Sequence, residues 1–115
     1  MLPSQNRFRK TEFDSFKKSR KRTFSSANFN LSLAGSFNSI RFAIVVSSSV
    51  AKKAVERNKL KRRIRSVVSD NIEKIKNGFV VVIYAKEGAG DLTFQDIKKQ
   101  INSLFKKSNI LKNND

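Results

Sequence analysis

The chain has 115 residues, with 25 Lys and Arg against 9 Asp and Glu, and a formal net charge of +16. That length suits a single domain, which buries roughly two thirds of its unfolded surface. Cys and His are both absent, which excludes disulfides, thiolate nucleophiles, Cys or His metal ligands and the usual general base of neutral pH.

In chain order, Thr11-Glu12-Phe13-Asp14 reads as a helix start, a Thr cap followed by an acid three residues on. This helix is expected to run through Phe13 and Phe16 to about Arg20. A polar, basic stretch follows, and a short strand is weakly signalled within Arg22 to Ala27. Phe29, Leu31 and Leu33 alternate with Asn30 and Ser32, the pattern of a half-buried strand. Gly35-Ser36-Phe37-Asn38 is turn chemistry. Ile40 to Val46 reads as the next strand, and the two strands are expected to pair as a hairpin.

Ser47-Ser48-Ser49 ends that strand, and a long helix is expected from Ala54 to Lys76. Leu60, Ile64, Val67, Val68, Ile72 and Ile75 fall on one side of its wheel. Asn77-Gly78 closes it, with Gly as a left-handed cap. Phe79 to Tyr84 is a continuous, mostly β-branched apolar run, expected to be a central strand buried on both faces. After a Gly88-Ala89-Gly90 loop, Thr93 and Asp96 repeat the capping signature. Ile97, Ile101, Leu104 and Phe105 then form the stripe of a last helix. The tail beyond Ile110 is polar. The order is helix, strands, helix, strand, helix: an α+β fold in one domain over 1–115, with 1–10 and 109–115 frayed. The strand–helix–strand unit around the basic helix implies that its two strands run parallel.

Charge is concentrated. Residues 51–66 hold eight cations and a single acid, Glu56, whereas residues 70–115 hold eight Lys against six acids. Such an excess repels itself in the compact state and suits a polyanion, nucleic acid first and an anionic membrane surface second. No run of 18 apolar residues exists to span a membrane, and MLPSQNRFRK lacks the apolar centre of a signal peptide. The cytoplasm is the default compartment. A transit peptide is also basic and Ser-rich, but here the basic character continues into the body of the chain.

On a wheel of about 100° per residue, Lys59 and Arg62 point away from Leu60 and Ile64. Asn58, Arg63 and Arg65 flank them. Arg57 falls on the apolar side by angle and therefore belongs in the opening turn, where it can swing clear. A solvated helix face normally mixes signs for i,i+4 pairing, and this one does not. Arg forks can grip phosphate oxygens bidentately, and Asn58 can both donate and accept. Phe13 and Phe16 share a face among Arg9, Lys10, Lys17 and Lys18. They read either as core packing or as a stacking surface for single-stranded bases.

The stretch Arg57-Asn58-Lys59-Leu60-Lys61-Arg62-Arg63-Ile64-Arg65 resembles the "RNR" motif of the bacterial ribonuclease P protein family. NRFRKTEFDSFKK, RFAIVVS, FVVVIYAK and LTFQDIKKQINSLFKKS resemble that family's first helix, the strand before the motif, the last strand and the last helix, in order and spacing. Lys59 stands where the motif has its central Arg, which removes a planar fork. Ser48 and Ser49 stand where the family has a Lys pair, with Lys52 and Lys53 slightly later. Phe13 and Phe16 are three apart rather than four. Ser19-Arg20 lacks the family's closing Gly, and Ser32 stands where an aromatic is common.

The resemblance implies a two-layer sandwich on a central mixed sheet. It also implies a left-handed strand–helix–strand crossover, against the usual right-handed rule. By the same resemblance, Arg57, Asn58, Lys59, Lys61, Arg62, Arg63, Arg65, Lys52 and Lys53 bind a catalytic RNA. Phe13, Phe16, Lys17, Phe29 and Arg9 meet the 5′ leader of precursor tRNA. No side chain is placed for acid–base work and no phosphate-binding Gly loop is present. The chemistry is thus expected on the RNA, which would hold Mg²⁺, with no cofactor on the protein, no small-molecule substrate and no membrane partner. The residue-level alternative is a ribosomal or general RNA-binding protein, resting on the same charge. A protein nuclease would need clustered carboxylates, and the nine acids are scattered.

Overall fold

The structure, a computed structural model, describes residues 21–35, 41–76 and 78–111. Four strands, β1 (Arg22–Ser25), β2 (Phe29–Ala34), β3 (Arg41–Val45) and β4 (Val80–Ala85), form one sheet in the order β1-β2-β4-β3. Two α-helices are described, α1 (Ala54–Asn71) and α2 (Phe94–Lys107). β1 pairs antiparallel with β2, β2 antiparallel with β4, and β3 parallel with β4. The fold is therefore α+β on a mixed sheet, and the unit β3–α1–β4 joins two parallel strands as its spacing implied. The weakly signalled strand is β1. The expected first helix, the Gly35 turn beyond its first residue and Ile40 lie outside the described residues.

The expected hairpin does not form. β4 lies between β2 and β3, with Leu31 opposite Ile83 on one side and Ile44 opposite Ile83 on the other. Alternation in β2 and β3 identifies one-faced strands but not their neighbours. Val80, Val81, Val82 and Ile83 are all fully buried, and a strand apolar on both faces gains most from the centre of a sheet.

Period-two alternation then sorts the two faces. Phe29, Leu31, Leu33, Phe42, Val81 and Ile83 share one cluster with Leu60, Ile64, Val67 and Val68 of α1 and Ile97, Ile101, Leu104 and Phe105 of α2. Both helices thus cover the same face. Ala34, Val80 and Val82 form a smaller cluster on the other, with Ala43, Val45 and Tyr84 packed against it.

Helix α1 is shorter than expected. It stops at Asn71, whose Nδ2 donates to the Val67 carbonyl at 2.8 Å and to Asn102 Oδ1 on α2 at 3.0 Å. Ile72–Lys74 tightens into a 3₁₀ turn, and Ile75 leaves the helix to bridge Leu111. Ile75 is still buried, but through this bridge rather than a helical stripe. Gly78 has a left-handed φ of 93° and turns the chain into β4 instead of capping α1. The same bridge corrects the expected fraying from residue 109. The Lys76 amide donates to the Ile110 carbonyl at 2.7 Å, Ile110 is buried, and the chain is held as far as Leu111.

Candidate nucleic-acid interface

Helix α1 is locked in rotation by Leu60, Ile64, Val67 and Val68, all buried against the sheet and α2. Its opposite side must therefore face solvent. Asn58, Lys59, Arg62 and Arg65 are exposed, and Lys61 and Arg63 are half-buried. Lys52 and Lys53 are exposed just before the first turn. Among the described residues, Lys59, Lys61, Arg62, Arg63 and Arg65 form no ion pair. Lys53 is the N-cap and makes no side-chain capping bond. Cations beside the positive end of a helix dipole are unfavourable, as are like charges one turn apart. A polyanion laid along this face relieves both.

Arg57 is placed differently from its neighbours. Its Nη1 donates to the carbonyls of Ala51 at 2.9 Å and Lys52 at 2.7 Å, and the side chain is half-buried. It swings clear of the apolar face, as the wheel required, but into the loop that precedes the helix. In that loop the amides of Val50 and Ala51 donate to the Ser47 carbonyl, and the Ser47 and Ser49 hydroxyls lie 2.7 Å apart. Ser49 is therefore engaged locally, in a turn that presents Lys52 and Lys53.

Among the described residues, grooves flank the cationic row on several sides. One of about 290 Å³ lies between the first half of α1 and the Gly88–Asp91 turn, and Glu56, Lys59, Arg63 and Asp91 line it. A second, about 360 Å³, is lined by Lys59, Arg62, Arg63, Ser66 and Phe94. A third, about 310 Å³, is lined by Arg62, Arg65, Ser66, Ser69 and Asp70. Ser66, Ser69 and Phe94 were not singled out in the sequence. Phe94 gave no separate signal, because by angle it continues the Ile97–Ile101–Phe105 stripe.

Among the described residues no three carboxylates gather as metal ligands would. Glu56 and Asp91 share their groove with two cations, a donor set unsuited to a divalent ion. Nor is any helix of the described residues long and apolar enough to cross a membrane.

The family model described as Ribonuclease P matches residues 2–109. The chain belongs to the ribonuclease P protein family. The ribonuclease P protein component of Bacillus velezensis is 36% identical over 114 residues, covering 96% of each chain. That of Microcystis aeruginosa is 37% identical over 71 residues, covering 62% of this chain and 59% of its own length. The solved Staphylococcus aureus RNase P protein superimposes with a TM-score of 0.79 over 92% of this chain and 97% of its own, at 23% identity; that likeness speaks for the fold. Membership in the ribonuclease P family decides between the two RNA-binding readings that charge alone left open.

Of the residues expected to meet a precursor tRNA leader, Arg9, Phe13, Phe16 and Lys17 lie outside the described residues. Phe29 does not fit that role. It is 0% exposed in the cluster beneath α1 and α2, where no base can reach its ring. The reason is parity: Phe29 shares its face with Leu31 and Leu33, and that face carries the core. Ser32, the departure from the family's common aromatic, lies on the opposite face, where its Oγ is 3.3 Å from Thr23 Oγ1. Tyr84 packs on that same face, and burial raises its pKa above the ordinary phenol value.

Proposed function

We propose that this chain is the protein subunit of a ribonuclease P whose catalyst is RNA. On this reading Asn58, Lys59, Lys61, Arg62, Arg63 and Arg65, with Lys52 and Lys53, bind the catalytic RNA through its phosphates. Arg57 shapes the loop that presents them. Arg9, Phe13, Phe16 and Lys17 contact the 5′ leader of precursor tRNA. Mg²⁺ is held by the RNA, and water is directed at the phosphodiester there. The protein positions the leader and screens charge. The cytoplasm, where its proposed substrate is found, is the compartment.

The observation that carries the reading is the cationic row of α1, exposed or half-buried, free of ion pairs among the described residues and fixed in direction by its own buried side. Family membership says which polyanion to expect. The test mixes the protein, its cognate catalytic RNA and a precursor tRNA at low Mg²⁺. Cleavage at the 5′ end should be faster than with RNA alone; equal rates sink the idea. Arg62→Ala should weaken binding of the catalytic RNA and flatten its salt dependence, by about 0.7–0.9 in log–log slope for one lost phosphate contact. Phe16→Ala should weaken leader-bearing substrate selectively, and equal loss for tRNA with and without leader would remove Phe16 from the assignment.

A further inference from the structure

Phe94 is the first residue of α2, and it is 38% exposed although the helix has a complete apolar stripe without it. A start of this kind is often closed by an apolar pair flanking the cap, one residue before it and one four residues into the helix. Leu92 and Ile97 occupy those positions, and both belong to or pack against the core cluster. The Thr93 hydroxyl already accepts from the Asp96 amide at 3.2 Å. Phe94 is thus needed neither for the cap nor for the core, and it belongs to neither apolar cluster. Its ring lines instead the groove of about 360 Å³ whose other walls are Lys59, Arg62, Arg63 and Ser66.

Lys59, Arg62, Arg63 and Ser66 follow one another at i, i+3, i+4 and i+7, a single strip along α1 about 10 Å long. The groove therefore joins an aromatic face to a row of cations that no carboxylate pairs among the described residues. A nucleotide carries both complements, a π-face and a phosphate.

We propose that Phe94 and this strip of α1 form a stacking site for one unpaired nucleotide of the RNA partner. The proposal rests on the RNA-binding reading above and adds a contact to the base. Phosphates lie along Lys59, Arg62 and Arg63. The base leaves its own stack and lies on the Phe94 ring. Ser66, with one donor and two acceptor positions, stands at the same wall. Because every base has a π-face, the site tolerates sequence and selects for an unpaired position.

The chain contains no Trp, so Phe94→Trp installs a unique fluorophore at the site. The experiment titrates this variant with the cognate catalytic RNA, with an oligouridylate, and with polyglutamate of matched charge. Both RNAs should quench the indole, and polyglutamate should not. In parallel, Phe94→Tyr should bind the catalytic RNA within about twofold of the parent. Phe94→Leu, which keeps an apolar side chain without a π-face, should lose about 5- to 150-fold with an unchanged salt slope. Thermal midpoints confirm that the variants fold. An unquenched indole at saturation, quenching by polyglutamate equal to that by RNA, or parental affinity of Phe94→Leu overturns the site. Failure of the ribonuclease P reading looks different: the parent would not distinguish the catalytic RNA from an unrelated RNA of the same length. Quenching by oligouridylate would then still support the stacking site.

Discussion

Arg57 and its neighbours in the motif differ in what they touch. Arg62 is exposed and free of ion pairs among the described residues, whereas Arg57 holds two carbonyls of the preceding loop. A hydrogen bond to a charged group contributes about 1.5–3 kcal/mol, and less where solvent competes, as it does at the Lys52 carbonyl. Arg57→Ala should therefore lower stability by about 1–3 kcal/mol and speed hydrogen exchange at the Ala51 amide, which closes the same loop. Its effect on the salt slope of RNA binding should be smaller than that of Arg62→Ala. Unchanged stability together with an equal loss of slope would return Arg57 to the phosphate-binding set. The wheel foresaw that Arg57 had to leave the apolar face. It had no means of showing which carbonyls would receive it, because those are fixed by the turn from Ser47 to Lys53.

Between elements, one side chain ties together three parts of the sheet's helix-covered end. Gln100 of α2 accepts through Oε1 from the Asn28 amide at 2.8 Å and from Ser26 Oγ at 2.7 Å. Its Nε2 donates to Asn28 Oδ1 at 2.9 Å. Asn28 Nδ2 in turn donates to the Glu87 carbonyl at 3.0 Å, and the Lys86 amide donates to the Asn28 carbonyl. Helix α2, the β1–β2 turn and the turn after β4 are thus joined. Gly88, at φ 87°, sits against this turn, and a Cβ there would lie 3.0 Å from Asn28 Nδ2. Gln100→Leu leaves two donors without their acceptor and should cost about 1–3 kcal/mol. Chemical denaturation should show a lower midpoint with an unchanged slope, and an unchanged midpoint would show that water replaces the amide at no cost. Helix and strand periodicity identified α2 and β2, but the polar residues that lock them together carry no periodic signal.

At the scale of the whole molecule, a net charge of +16 on 115 residues sets like charges against one another. At 10 mM salt the screening length is about 30 Å, so most of these charges repel one another. At 100 mM it falls to about 10 Å, and distant pairs no longer interact. The thermal midpoint should rise between these two conditions by at least about 4 °C, the shift that roughly 1 kcal/mol produces in a domain of this size. A flat or falling midpoint would mean that the cations are already neutralised within the fold. RNA should raise the midpoint further than salt does, by mass action on the native state, while its own affinity falls as salt rises.

The sequence by itself determined the described strands and helices short of their ends, the parallel relation of the strands flanking α1, the direction of its cationic side and, by the RNR stretch, the family. These are properties of local periodicity, and Leu60, Ile64 and Val67 can point only one way once they are buried. Tertiary structure alone decided which strands are neighbours, because β4 takes the centre by burying both faces while β2 and β3 look alike as one-faced strands. It also decided that Phe29 belongs to the core, since alternation names two faces without saying which one the helices cover. The meeting of Phe94 with Lys59, Arg62 and Arg63 was likewise out of reach of the sequence. These residues lie about thirty positions apart, and only the packing of α2 against α1 brings them to one groove.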